Sequence, residues 1–330
     1  MKAPVAAPGV SLPDGKRFAF TVMDDTDDAT LENVTPIYRL LESLGMRTTK
    51  TVWAVPCEEG SPDFAMAETL EDAEYRAFVI DLQARGFEIA FHGATMESSS
   101  RERTVRALTR FAETFGASPR VHANHSFNRE NLYWGADRID NPILRMAYRA
   151  ILHLPGDFYQ GHRAGSDFWW GDLCAGQIEY VRNLTFEDIN LMRVNPSMPY
   201  RDARRPYGQW WFSSSDAENA ISFAELLREE NQDRLERESG ICIVATHFGK
   251  GFCADGQVKP EVRRLLTRLA QRPGWFVPVG DLLDHLRTRH RSDGALPKRE
   301  WREMQWRWAR DLVARKLAER TRRAYFHGLR

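Results

Sequence analysis

The chain has 330 residues, 42% of them hydrophobic, and its 46 Lys and Arg are balanced by 46 Asp and Glu. That length supports a full core, in one large domain or two smaller ones, and zero formal charge argues against a general nucleic-acid binder. No apolar run approaches the ~18 residues of a membrane-spanning helix, and the first ten residues lack the apolar stretch of a secretory signal, so a cytoplasmic protein is expected.

Short apolar strands alternate with helical segments in the first half, the signature of βα units. Phe18 to Met23 reads as a strand, Leu31 to Leu44 as a helix closed by Gly45, and Arg47 to Ala54 as a second strand rich in Thr and Val. A helix over Leu70 to Ala84 breaks at Gly86, and Phe87 to Phe91 forms a third strand. Arg101 to Phe115 is a helix stopped by Gly116, with Ser98 to Ser100 at its start, and Pro119 to Asn124 leads into a fourth strand. Residues 126 to 218, dense in Trp, Tyr, Asn, Pro and Gly, read as an irregular, groove-forming region.

Alternation then returns. A helix over Ser222 to Asn231 precedes a strand over Ile241 to Thr246, a helix over Glu261 to Gln271, a strand over Trp275 to Val279 and a helix over Asp281 to Arg289. From Lys298 to the end, eleven Lys and Arg face four Asp and Glu, a local charge of +7 against −7 for the rest. This tail reads as a helix with Trp301, Met304, Trp308 and Leu312 on one face and Trp306, Val313 and Leu317 near the opposite one. Packing on the acidic body is expected, with a partner subunit or an anionic membrane surface as alternatives. The simplest architecture is one α/β domain over residues 1–290, followed by a basic helical extension over 291–330.

In such folds the chemistry gathers at the C-terminal ends of the strands. Asp24 and Asp25 close the first strand, His92 the third, His122 and His125 follow the fourth, and His247 ends the strand from Ile241. Carboxylate and imidazole on one rim are ligands for Zn²⁺, Fe²⁺, Co²⁺, Mn²⁺ or Ni²⁺. Strand alternation points Asp24 and Asp25 in opposite directions, and turns His122 and Asn124 into the barrel. Asp28, and less so Asp27, read as caps of the helix near Leu31. The tryptophans, Trp134, Trp169, Trp170, Trp210 and Trp211 among them, are core residues or sugar platforms, with one of each adjacent pair turned to the groove. Cys57, Cys174, Cys242 and Cys253 show neither a CxxC spacing nor a disulfide framework.

These residues resemble a known family. Thr21-Val-Met-Asp24-Asp25 is similar to the Thr-Phe-Asp-Asp-Gly motif of NodB-type polysaccharide deacetylases, His92-Gly-Ala-Thr to the start of their His-Ser-x-x-His motif, and Val244-Ala-Thr-His247 to their final Leu-x-His motif. The order and spacing agree over about residues 17 to 290, and Asn124 to Gly135 resembles the WbmS-like subgroup of bacterial surface-polysaccharide clusters. Two positions depart: Met96 stands where the second metal histidine belongs, and Thr26 where the motif has glycine.

The resemblance implies a distorted (β/α) barrel with an aromatic-rich insertion and a C-terminal helix. It implies a metal-dependent hydrolase that removes an N-acyl group from a sugar. Asp24 would be the general base, His247 the general acid, and Asp25 and His92 metal ligands. His125 is the chosen third ligand, ahead of His122 and Glu97; zinc is the first choice of metal. His122, Asn124, Arg101, Trp134 and Trp211 are expected to line the substrate groove. The rival readings are a carbohydrate-binding relative without activity and a non-haem Fe(II) enzyme, since two His and one carboxylate also make a facial triad.

Overall fold

The computed structural model describes residues 10–61, 67–152, 156–290 and 293–327, with side chains described to residue 314 of the last segment. Seven parallel strands close into a barrel. They are β1 (Phe18–Asp24), β2 (Thr49–Trp53), β3 (Glu88–Gly93), β4 (Val121–Ala123), β5 (Tyr180–Phe186), β6 (Trp210–Asp216) and β7 (Ile241–Thr246), and β7 pairs back with β1. A two-stranded antiparallel ribbon, β8 (Cys253–Ala254) and β9 (Gln257–Val258), follows β7. Strand β10 (Gly274–Trp275) pairs with the first two residues of β1, while β2 pairs only with its last two. The helices among the described residues are α1 (Leu31–Ser43), α2 (Ala73–Ala84), α3 (Arg101–Phe115), α4 (Pro142–Leu152), α5 (Gly171–Gln177), α6 (Ala220–Leu226), α7 (Glu229–Arg237), α8 (Pro260–Ala270), α9 (Val279–Arg287) and α10 (Lys298–His327).

The strands are covered on both faces, which is why β1 and β7 read as unbroken apolar runs. The helices are amphipathic: α8 buries Val262, Leu265, Leu266 and Leu269 at helical spacing. Helix α1 is capped by Thr30, whose hydroxyl accepts from Asn33 N–H while the Asn33 side chain accepts from Thr30 N–H. This corrects the capping role expected of Asp28. Asp28 adopts φ 57° and offers its carbonyl to the Asn33 amide, and Asp27 is free for other work. Helix α3 begins at Ser100, which accepts from Arg103 N–H, and ends at Gly116 with φ 75°.

The region expected to be irregular holds two barrel strands, β5 and β6. Buried polar residues hide the strand pattern: Arg182, Asn183, Ser213 and Ser214 lie in these strands, with Arg182 turned into the barrel. The helix expected over Ser222 to Asn231 is two helices, because the side chains of Asn231 and Gln232 take the carbonyls of Leu226 and Leu227 and end the first. Helix α10 buries Trp301, Met304 and Trp308, with Leu312 partly covered. Trp306 and Val313 face out, and Leu317 lies outside the described side chains. Trp301 is anchored by a hydrogen bond from its indole to Asp140, and Trp308 packs on Tyr148 and Arg138. Among the described residues no helix is long and apolar enough to cross a membrane.

This packing gives an expected contrast. Trp301→Ala should cost about 3–5 kcal/mol of stability in urea denaturation, and Trp306→Ala within about 0.5 kcal/mol. Equal losses would mean that the helix face is wrongly assigned.

Candidate active site

Three aspartates leave the end of β1 for three different environments. Asp24 faces the helix layer. It is fully buried, accepts from the Tyr38 hydroxyl (2.8 Å) and Phe248 N–H (2.8 Å), and lies 3.1 Å from the Lys50 ammonium. The β1–β2 register sets Asp24 opposite Lys50, so the ion pair is built into the sheet. Burial raises the Asp24 pKa, with Lys50 opposing.

Asp25 points the other way. Arg182 holds both its oxygens, at 2.9 and 2.5 Å. Strands β1 and β5 are not neighbours in the sheet, so this pair crosses the barrel interior. Burial pushes the Asp25 carboxyl up, but Arg182 and then His92 outweigh it and hold it below the usual range.

Asp27 occupies the centre of the rim. Its oxygens lie 3.3 Å from His92 Nε2, 3.4 Å from His125 Nε2, 3.3 Å from His247 Nε2 and 3.5 Å from Lys250 Nζ. Burial alone would raise this carboxyl, yet His125, His247 and His92 hold it far below its ordinary value. The same contact works in reverse on the rings. Burial lowers the pKa of His125 and of His247, but Asp27 more than compensates and both end raised. For His92 burial wins, and its pKa is lowered.

Each ring has a fixed orientation. His247 Nδ1 lies 2.7 Å from the Glu218 carbonyl, and His125 Nδ1 3.0 Å from the Asn128 side-chain oxygen. Trp53 packs against both His92 and His125, with centroids at 4.7 and 5.2 Å. Gly93, at φ 143°, lets the backbone beside His92 pass Trp53, where a Cβ would meet the indole at 3.2 Å.

The other expected site residues have partners of their own. His122 bonds to the Phe91 carbonyl and the Asn124 side chain and is pushed down to about 4 by burial. Asn124 holds both backbone groups of Leu132, so it shapes the loop after β4. Arg101 makes a bidentate pair with Asp172 at 2.7 and 2.8 Å and covers Trp169. Glu97 is engaged by Arg103 and Glu58 N–H, away from the imidazoles. Trp211 is buried, its indole N–H bonded to the Arg205 carbonyl, so it offers no platform; Trp210 is buried as well. Trp134 is half-buried, stacked by Arg138 and bonded to the Ser126 carbonyl. Trp170 is core and Trp169 half-buried, as expected for that pair.

Sequence reasoning missed Arg182, Lys250 and the place of Asp27. A signal existed for the buried pair at Asp24: a lysine inside the strand Thr49-Lys-Thr-Val-Trp53 needs a buried counter-ion. For Asp27 the cue was a third acidic residue, after Asp24 and Asp25, in a turn whose helix already has a Thr30 cap.

The donor chemistry here fits a divalent cation, one carboxylate with three imidazoles. Both ring nitrogens of His92 and Oδ1 of Asp27 are buried without a hydrogen-bond partner. The donors close on one another rather than around a common point: among the described residues no group of three or more His, Cys, Asp or Glu side chains has ion-holding geometry.

Two outcomes follow for stability. Lys50→Met strands the Asp24 carboxylate and should cost about 3–5 kcal/mol, largely recovered in the double variant with Asp24→Leu; no recovery would contradict the pairing. Glu130, buried near the site, is pushed up by burial to about 7. Its neutral form is favoured in the folded state, so its contribution is full below about 4.5 and is lost as pH rises through about 7. Glu130→Gln should flatten that part of the stability profile by on the order of 3 kcal/mol; an unchanged profile would show that Glu130 titrates normally.

No family model matches the chain, and no curated protein matches its sequence. Solved structures do match. One, from Mycobacterium smegmatis and described as a polysaccharide deacetylase, is 14% identical, covering 89% of this chain and 98% of its own, with a TM-score of 0.51. Another so described, from Pseudomonas aeruginosa PAO1, is 15% identical, covering 86% and 95%, with a TM-score of 0.50. At these identities the likeness speaks to architecture, and the chain has the distorted (β/α)-barrel fold of the NodB-type polysaccharide deacetylases.

Proposed function

We propose that the protein is a metal-dependent hydrolase that removes an N-acyl group, acetyl first among them, from a sugar. The observation that carries this reading is the convergence of His92, His125 and His247 on Asp27, beside a second carboxylate, Asp25, fixed by Arg182. The deacetylase descriptions of the two structural neighbours and the sequence motifs support it. The segment that resembles the WbmS-like subgroup supplies His125, Asn128 and Glu130, which supports a surface-polysaccharide substrate.

The residues that would hold the cation are Asp27, His92 and His125, a set that moves the carboxylate donor from Asp25 to Asp27 because Arg182 claims both oxygens of Asp25. A cation bound there would supply Lewis acidity, the chemistry that makes water nucleophilic near neutral pH and polarises an acyl oxygen. Asp25 takes over from the sealed Asp24 as general base: it is ionised, oriented by Arg182, and beside the cluster. His247, anchored through Nδ1, presents Nε2 to the mouth and donates a proton to the departing amine. Lys250 adds a positive charge where the acyl oxygen gains negative charge.

One observation favours the rival reading of a carbohydrate binder without hydrolysis: Lys250 and three imidazoles already neutralise Asp27. Assay decides between them. Supplied with Zn²⁺, Co²⁺ or Mn²⁺, the protein should release amine from N-acetyl sugars and lose activity with a chelator. Asp27→Asn should lose metal and activity together, and Asp25→Asn should keep metal while losing on the order of 10²–10⁴ in rate. Sugar binding without amine release under any of these metals would establish the rival.

A further inference from the structure

We propose that Asn128 and Glu130 are positioning residues that fix His125 with its proton on Nδ1 and its Nε2 turned to Asp27. The inference goes beyond the hydrolase reading and rests on it only for the link to metal affinity.

Asn128 is buried, and one atom of its side-chain amide has three oxygen neighbours: the Thr95 carbonyl at 3.0 Å, the Glu97 carbonyl at 3.1 Å and Glu130 Oε1 at 2.9 Å. All three are acceptors, so that atom is the NH₂ group; the flipped amide would set a carbonyl oxygen against three oxygens. The Asn128 oxygen therefore faces His125 Nδ1 at 3.0 Å, and an acceptor there requires a proton on Nδ1. His125 Nε2, 3.4 Å from Asp27, is left as the nitrogen that faces the cluster. Glu130 is fixed in turn. Its Oε2 accepts from Ser99 N–H at 2.9 Å, and its own backbone carbonyl accepts from the Trp170 indole at 2.7 Å. The chain from Trp170 and Ser99 through Glu130 and Asn128 thus ends on one ring nitrogen. Such outer partners set ligand orientation and basicity in imidazole sites.

The test uses the full chain labelled with ¹⁵N-histidine, stripped of metal and held near pH 9, with long-range ¹H–¹⁵N correlation spectra and His125→Asn for assignment. Wild type should show His125 as the Nδ1–H tautomer. Asn128→Leu should shift it to the Nε2–H form usual for free imidazole, and Glu130→Gln should shift it part of the way. Zinc titration should then show affinity lowered about 10- to 100-fold in Asn128→Leu. An Nε2–H tautomer in wild type overturns the proposal, as do variants that keep both the Nδ1–H form and wild-type affinity. If a variant fails to fold, the wild-type tautomer alone decides. If wild type binds no zinc, the hydrolase reading fails by itself, and the tautomer still judges the role of Asn128 and Glu130.

Discussion

The register of β1 against β7 is the constraint on which the site depends. Six consecutive pairs, from Ala19 with Ile241 to Asp24 with Thr246, close the barrel and end both strands at one level. The Asp25 N–H then bonds to the Thr246 carbonyl at 2.7 Å, so Asp25 and His247 leave the sheet side by side. A slip of one residue would exchange the two faces of β1. Asp24 would then enter the barrel and Asp25 would meet the helix layer, each without its counter-ion.

The charges that follow are buried in opposed pairs. Lys50 answers Asp24 outside the barrel wall, Arg182 answers Asp25 across its interior, and Lys250 with the imidazoles answers Asp27 at the mouth. Desolvating so many ions is costly, and buried pairs seldom repay that cost with stability. The first two clusters each leave one buried nitrogen without a hydrogen-bond partner, Lys50 Nζ and Arg182 Nε. The third leaves three such atoms, both His92 ring nitrogens and Asp27 Oδ1, and that concentration supports the proposal that places the chemistry there.

The alternating framework was legible in the sequence because its strands and helices keep their apolar periods. Helix α3 and strand β7 have the boundaries read from the pattern, and the residues that α10 buries, Trp301, Met304 and Trp308, are ones its spacing put on a common face. Strands β5 and β6 were not, since buried polar residues such as Arg182 and Ser213 stand where an apolar residue would signal a strand. The site was legible as a set of strand ends and not as a set of partners. His92, His125 and His247 do meet, but which aspartate they meet was set by contacts from far along the chain. Arg182 is 157 positions from Asp25, and Phe248 is 224 from Asp24. A motif of adjacent aspartates carries no information about either.

The central claim is that the imidazole cluster belongs to Asp27. Anomalous diffraction from crystals soaked in Zn²⁺ tests it directly. The expected result is a zinc peak within about 2.0–2.2 Å of an Asp27 oxygen and of His92 and His125 Nε2, with Arg182 still clamped on Asp25. A peak bonded to Asp25 with Arg182 displaced, or no peak at the cluster, would contradict it.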